Sequence, residues 1–450
     1  MTRTDVTAAL AEFSIGEVYL PENVQTAGVR ALTNIVGCMF GGVEQQATQI
    51  ARDLAVELGG TGTTSLIGHA ARVDMVTGAY LNCMASAAHA FDDTHLATVI
   101  HPSGPVIGPL FALAEREALS GQALIEALVV GIEVQCRVGA ALLVPPAKGQ
   151  LGWYGTGIAG ALGAAAASAR ALGLNHTQTC SAFGVAANMA SGFRQTHGTM
   201  CTSHTPAHSA RCGLYAALLA ARGFDGGTAA LEGDNGYLQV FSFAPNPAAA
   251  TTDLGKAWHT LDNTFKPYPC GIVIHPVLDA CLEIVRENAP VADRIDRIDV
   301  TVNPLCLMLC DRPTPPDAQL AQVSVQHWAA VALLTGRAGL PEVTEARVAD
   351  PEVAALRSKV RTHPDDTINR DGARVDVHLA DGQTFSRAIE HGIGSTELPM
   401  TDAQIDAKFM AQAEMVLKPS AAGEILKACR KIQNAGDVAA ALIRLCRPDY

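Results

Sequence analysis

Between Glu133 and Asp225 the chain holds no carboxylate, and inside that interval Leu151–Ala169 carries no charge at all. A run of that kind has to be buried, in lipid or in protein. Its residues are mostly Gly and Ala rather than Leu and Ile, which suits closely approaching helices better than a membrane span. The expectation is a buried helix inside a helical body, with no membrane partner. Aromatics make up only 5% of the chain, and alanine recurs in runs at Ala164–Ala167 and Ala248–Ala250. That balance favours packed helices over β-sandwiches.

The chain has 450 residues, 48% hydrophobic and 17% charged, so it can build a sizeable core and two or three domains. Its net charge of -12 argues against nucleic acid as a partner. Met1–Leu10 contains Arg3 and Asp5 and no apolar signal core, so the expected location is cytoplasmic. The 12 cysteines are scattered without a CxxC, which reads as reduced buried thiols.

Helical spacing covers most of the first 265 residues, including Val73–Ala88, Leu124–Leu143 after Ser120, Gly155–Leu172, His176–Met189 and Thr205–Ala221. The pattern then changes. Arg294–Val302 alternates, and Arg374–Leu379 and Thr384–Ile389 flank the turn signal Asp381-Gly382. Helical spacing returns after Thr401. The expected fold is mainly α with an inserted α+β domain: residues 1–265 and 400–450 form a large helical domain, and residues 266–399 form a smaller α+β lid. A cleft between the two is the natural ligand site.

The acid-free interval contains Arg137, Lys148, Arg170, Arg194, Arg211 and Arg222, with His176, His197, His204 and His208. Such an interval in an acidic protein points to docking of a small anion. The bland alternative is that apolar helices simply exclude carboxylates. The same interval includes Gly155, Gly157 and Gly160 in a GxGxxG pattern, but no acidic residue follows at the ribose-binding distance. These glycines are read as helix-packing positions, and no nucleotide cofactor is expected.

His89, Asp92, Asp93, His95 and His101 lie within thirteen residues, and Pro102-Ser103-Gly104-Pro105 follows. Carboxylates beside imidazoles serve proton transfer. Asp and His also ligate metals, but the spacing matches no helix-face ligand pair, so no metal is expected. A second constellation, Lys266-Pro-Tyr268-Pro-Cys-Gly with His275-Pro276, sits where the inserted domain begins. A lysine there can act as a base or clamp a carboxylate.

These two segments, the Gly160–Ala167 helix, Gln322–Gly336 and Asp350-Pro351 together resemble the MmgE/PrpD family over nearly the whole chain. The resemblance implies a large helical domain with an α+β lid, a homodimer, no metal or organic cofactor, and a small polycarboxylate substrate. Members of that family move a proton at a carbon next to a carboxylate. Three departures stand out. Thr202 falls where decarboxylases and dehydratases of the family carry a lysine. Tyr154 falls near a family histidine, and Ala90 replaces an acid. They shift the expected chemistry toward epimerisation of iminodisuccinate, with dehydration of 2-methylcitrate or decarboxylation of cis-aconitate as the alternative. His101 with Lys266 or Tyr154 is expected to move the protons, while Asp93 and His95 orient or polarise. Thr94, His208, Arg211, Tyr268 and His275 are the expected substrate contacts.

Overall fold

The computed structural model describes residues 5–59, 62–288 and 292–447. Arg3 and the rest of residues 1–4 lie outside it. The uncharged run becomes the helix α4 (Gly155–Ala171), buried over Gly155–Ala169. It packs against α3 (Gly121–Leu143) and α6 (Cys201–Ala220), with α5 (His176–Asn188) alongside. Small residues make this possible. A Cβ at Gly163 would lie 2.6 Å from the carbonyl oxygen of Gly131, and one at Gly213 would lie 2.5 Å from that of Ala161. No side chain fits between these backbones. The GxGxxG glycines lie within the same helix, and Gly157 abuts the Ser191 carbonyl, so the pattern serves packing.

The helix ends follow local rules. Ser120 caps α3 by accepting from the Ala123 N–H, and Asn175 forms a capping box with Gln178 on α5. The expected helix at Val73–Ala88 begins two residues later as α1 (Met75–Ala87). Asp74 accepts from the Val76 and Thr77 N–H groups, and Val73 ends a short strand instead. The helix α2 (Ser103–Ala114) begins directly after His101-Pro102 and is buried throughout.

The residues beyond Phe265 build a four-stranded sheet. Its members are β3 (Ile295–Val302), β4 (Val360–Pro364), β5 (Ala373–Leu379) and β6 (Thr384–Ile389), in the order β6-β5-β3-β4. The β5–β6 hairpin turns at Gly382, whose φ of +88° is open to glycine. The β4 strand pairs parallel with β3 and was not expected, because its Arg361, His363 and Pro364 break the apolar alternation. The helices α7 (His275–Asn288) and α8 (Val325–Thr335) contribute to the core over this sheet, with Trp328 fully buried.

Buried residues separate into clusters. One joins Leu20–Phe265 with Met400–Cys446, so both chain ends share a core that includes α9 (Asp402–Ala413) and α10 (Pro419–Arg430). Another runs from Cys270 to Leu379. No helix among the described residues is long and apolar enough to cross a membrane.

Candidate active site

Two short strands bring the distant sequence clusters together. β1 (Thr94–His95) pairs antiparallel with β2 (Asn263–Thr264), and the Thr264 hydroxyl donates to the Thr94 carbonyl at 2.6 Å. This pairing sets the histidine–aspartate loop beside Lys266. The Lys266 ammonium donates to the Ala90 carbonyl at 2.8 Å and stands 3.5 Å from Asp92 Oδ1. His101 Nδ1 lies 3.7 Å from the same oxygen. A buried carboxylate thus sits between a cation and an imidazole.

Two non-glycine residues of this loop, Ala90 (φ 50°) and Val99 (φ 54°), hold left-handed backbone conformations, and both line the cavity with His101 and Lys266. A β-branched residue reaches that region only under constraint, and such strain gathers at functional sites.

The imidazole of His101 has a defined tautomer. Its Nδ1 is 2.9 Å from the Asp93 carbonyl, which can only accept, so Nδ1 carries the proton. The Thr94 hydroxyl is 3.0 Å from that nitrogen. Nε2 is left as the basic atom. Burial lowers the His101 pKa and Asp92 partly restores it, so the ring is neutral at pH 7. Tyr154 lies across from it, with ring centroids 6.2 Å apart. Burial, reinforced by Asp92, raises the Tyr154 pKa, so the phenol keeps its proton. A neutral imidazole base and a protonated phenol make an acid–base pair set apart by environment.

The acid-free interval supplies another wall of the same cavity through Arg194, His197 and Thr202. Arg194 Nε donates to the Trp153 carbonyl at 3.1 Å. The His197 ring packs edge-on against Tyr154 with centroids 4.3 Å apart, and its buried Nε2 has no hydrogen-bond partner among the described residues. Burial, then the nearby His101 and Arg194, brings the His197 pKa down to about 4. The remaining wall, Gly271–Val273, Leu309, Cys310 and Val323, comes from the segment that carries the sheet. The cavity is therefore apolar on one side. On the other it offers two cations, a base, an acid and an unpaired imidazole.

Of the residues singled out in the sequence, His101, Lys266 and Tyr154 line this cavity together. The other expected residues do not line the cavity. Asp93 turns away into the protein and accepts at 2.5 Å from both the Ser103 hydroxyl and the Asn263 amide, and burial pushes its pKa up to about 6. It anchors the start of α2 to β2. The alternation of β1 sends Thr94 toward His101 but His95 to the opposite side, where it meets Thr98 and His259. Thr94 is fully buried and steadies His101. His208 and Arg211 bond to each other at 3.1 Å on α6, and Arg211 stacks over Tyr80. The Tyr268 hydroxyl donates to Asp279 at 2.6 Å, and His275 is buried beside its ring. Asp92, Asp93, His95 and His101, close in sequence, are thereby divided among three environments.

Four residues with roles at this site were not singled out in the sequence. Asp92 belongs to the histidine–aspartate cluster, but only backbone alternation decides which of two adjacent aspartates faces Lys266. Arg194 and His197 carried a signal, since both lie in the acid-free interval. Of that interval's five arginines, Arg137 pairs with Glu133, Arg170 with Glu126, Arg211 bonds His208 and Arg222 bonds the Leu218 carbonyl, leaving Arg194 for the cavity. Lys408 carried none. From α9 it donates to the Phe91 carbonyl at 2.6 Å and to Asn34 Oδ1 at 2.7 Å, behind the loop that bears Asp92.

A helical body and a sheet-bearing segment thus enclose a cavity lined by Lys266, His101, Tyr154 and Arg194, with Asp92 beside Lys266. Comparison with known families gives the particular family. The MmgE/PrpD N-terminal domain matches residues 10–250 and the MmgE/PrpD C-terminal domain matches residues 268–434. The chain belongs to the MmgE/PrpD family. Similar proteins include the cis-aconitate decarboxylase of Homo sapiens, 27% identical over 93% of this chain and 89% of the relative. The cis-aconitate decarboxylase of Mus musculus is 28% identical over 80% of this chain and 76% of its own. That of Aspergillus terreus is 26% identical over 81% and 80%. These relatives correct the emphasis of the sequence reading, in which the epimerase came before the lyase.

Proposed function

We propose that the protein is a lyase acting on a small polycarboxylate, with decarboxylation of cis-aconitate as the first candidate reaction and loss of water from a hydroxy-acid such as 2-methylcitrate as the second. The observation that carries this reading is the Lys266–Asp92–His101 cluster facing Tyr154 in a buried cavity. Arg194 and Lys266 grip substrate carboxylates and hold the negative charge that develops when a bond next to one of them breaks. In decarboxylation, the carbon–carbon bond to the departing CO2 breaks and its electron pair stays on the substrate. Tyr154 then donates the proton that quenches it. In water loss, His101 Nε2 takes the carbon-bound proton and the hydroxyl leaves with a proton from Tyr154. The decarboxylase relatives support the first route.

The epimerase reading is kept as a second, on one specific observation: Thr202, a neutral residue, lines the cavity at the position assigned to a family lysine. Inversion at a carbon needs a base on one face and an acid on the other, and His101 with Tyr154 or Lys266 supplies them. The domain reading, a helical body from both chain ends with residues 266–399 as a lid, belongs to the same proposal. It draws support from the two separate cores, although the family boundary places α9 and α10 with the C-terminal domain. A homodimer in the cytoplasm completes it.

The test is proton NMR in heavy water with cis-aconitate, 2-methylcitrate, citrate and iminodisuccinate as separate substrates. Loss of CO2 or water from one of the first three supports the lyase. Inversion of iminodisuccinate with none of those reactions overturns it in favour of the epimerase.

A further inference from the structure

We propose that His95, His259 and Asp262 form a binding site for a divalent transition-metal ion of the zinc class. The site is apart from the catalytic cavity and serves to pin together the two segments that build it. His259 and Asp262 bound a 3₁₀ turn (His259–Asp262). Such a turn has three residues per revolution, so positions i and i+3 project from the same side. His95 reaches the same point from β1. His95 Nε2 lies 3.2 Å from His259 Nδ1, and Asp262 Oδ2 lies 3.9 Å from that nitrogen. All three donor atoms fall within 4.8 Å of one another. Around a tetrahedral zinc with bonds of ~2.0–2.1 Å, neighbouring donors stand roughly 3.3 Å apart. The two imidazoles already have that spacing, and the exposed Asp262 carboxylate would close in from its 3.9 Å separation from His259.

The surroundings prepare the donors. The Thr98 hydroxyl donates to the His95 carbonyl at 3.3 Å and so accepts from His95 Nδ1 at 2.8 Å. The proton is thereby fixed on Nδ1, and the Nε2 lone pair is directed at His259. An outer hydrogen bond of this kind is the usual companion of a liganding imidazole. The turn itself is held by the buried Glu133 carboxylate, which accepts from the His259 N–H at 3.0 Å and from the Thr260 N–H and hydroxyl at 3.2 Å. The nearby Arg137 is already occupied by Glu133 and by the carbonyls of Thr252, Asp253 and Ala257. The Asp262 side chain is 60% exposed and that of His259 28%, so an ion can enter from solvent and keep water as a fourth ligand.

An ion here would join β1 to the residues preceding β2. The same pairing places Asn263 against Asp93 and Thr264 against Thr94. The site therefore reinforces the backbone that positions Asp92, His101 and Lys266, and it takes no part in bond breaking. Its donors, two imidazoles and one carboxylate, suit zinc or cobalt better than calcium or magnesium.

The test uses the full-length protein, stripped with a chelator, dialysed and titrated with Co2+ and then Zn2+. One equivalent of cobalt should give the intense visible absorption of a tetrahedral site, and zinc should displace it and raise the melting temperature. His259→Ala and Asp262→Ala remove partly exposed side chains and should fold. Each should weaken cobalt binding at least tenfold and abolish the absorption. His208→Ala, at the separate contact of His208 with the buried Cys212, should leave both unchanged. Absence of a stoichiometric cobalt signal in the stripped wild type would overturn the site. So would binding that survives in both the His259 and Asp262 variants or is lost in His208→Ala.

Discussion

The Lys266 ammonium stands 3.5 Å from Asp92 Oδ1, and both groups are nearly sealed from solvent. An ion pair of this kind adds little net stability against an apolar substitute, but breaking it leaves a bare buried charge. Asp92→Asn should therefore destabilise the protein by about 3–5 kcal/mol, measured by urea unfolding at neutral pH. Lys266→Met with Asp92→Asn should recover much of that loss while staying inactive. Near-additive destabilisation in the double variant would mean that the two groups are not coupled.

In the water-loss and epimerisation routes His101 is the base, a role open to it only when neutral, and burial sets its pKa below the ordinary 6.5. The rate at limiting substrate, kcat/KM, should hold level at neutral pH and fall as pH drops through that lowered value. The sign of a second effect follows from the same surroundings. The Asp92 carboxylate favours the imidazolium and raises the His101 pKa, so Asp92→Asn should move the acid limb to still lower pH. An acid limb that moves upward, or that persists in His101→Gln, would remove His101 from the role of base.

Arg194 is the one arginine of the acid-free interval that lines the cavity. If it grips a substrate carboxylate, Arg194→Gln should raise KM by about tenfold or more, in line with loss of a charge-assisted hydrogen bond of about 1.5–3 kcal/mol. Steady-state kinetics on the substrate identified by NMR would measure it. An unchanged KM would place the carboxylate elsewhere.

The helical part of the fold was readable because its signals are local. Ser120, Asn175 and Gly173 mark helix ends, and the Gly/Ala run has room only for other backbones. The Asp381-Gly382 hairpin was readable for the same reason. The site was only half readable. His101, Lys266 and Tyr154 each stand in an unusual local sequence, but what joins the first two is a two-residue strand pairing, Thr94 with Thr264 and His95 with Asn263. No periodicity announces so short a ladder. Its register decides that Asp92 faces Lys266, Asp93 faces Asn263 and His95 faces His259. Adjacent residues of similar chemistry are assigned opposite fates by alternation, which the sequence alone leaves open. His208 and Arg211 lie outside the cavity for a related reason: a stretch free of acids covers several elements, and of its charged and polar residues Arg194, His197 and Thr202 turn toward the cavity.

Lys408 gives the least expected prediction, because it is a fully enclosed ammonium far from Asp92 in sequence and adjacent in space. Its Nζ donates to Asn34 and to the Phe91 carbonyl and lies 4.0 Å from the centre of the Phe91 ring. These contacts fix the residue directly before Asp92, so Lys408 is a positioning residue for the ion pair. Burial lowers its pKa from 10.5 to about 8. The unfolded chain then binds more protons than the native one between pH 8 and 10.5, so this group's contribution to stability rises with pH across that window. Below pH 8 the full cost of the buried charge, about 3 kcal/mol, is present. Above the unfolded value it is gone. The unfolding free energy of wild type minus that of Lys408→Met should therefore increase from pH 7 to pH 10, by up to about 3 kcal/mol. Subtracting the variant cancels the tyrosines and the cysteines remote from Lys408 that titrate in the same range, while Cys38, whose thiol Lys408 acts on directly, stays in the difference. Lys408→Met should also lower kcat more than it raises KM, since it loosens the Asp92 loop without touching a carboxylate clamp. A flat stability difference together with an unchanged kcat would show that the ammonium supports neither the fold nor the site.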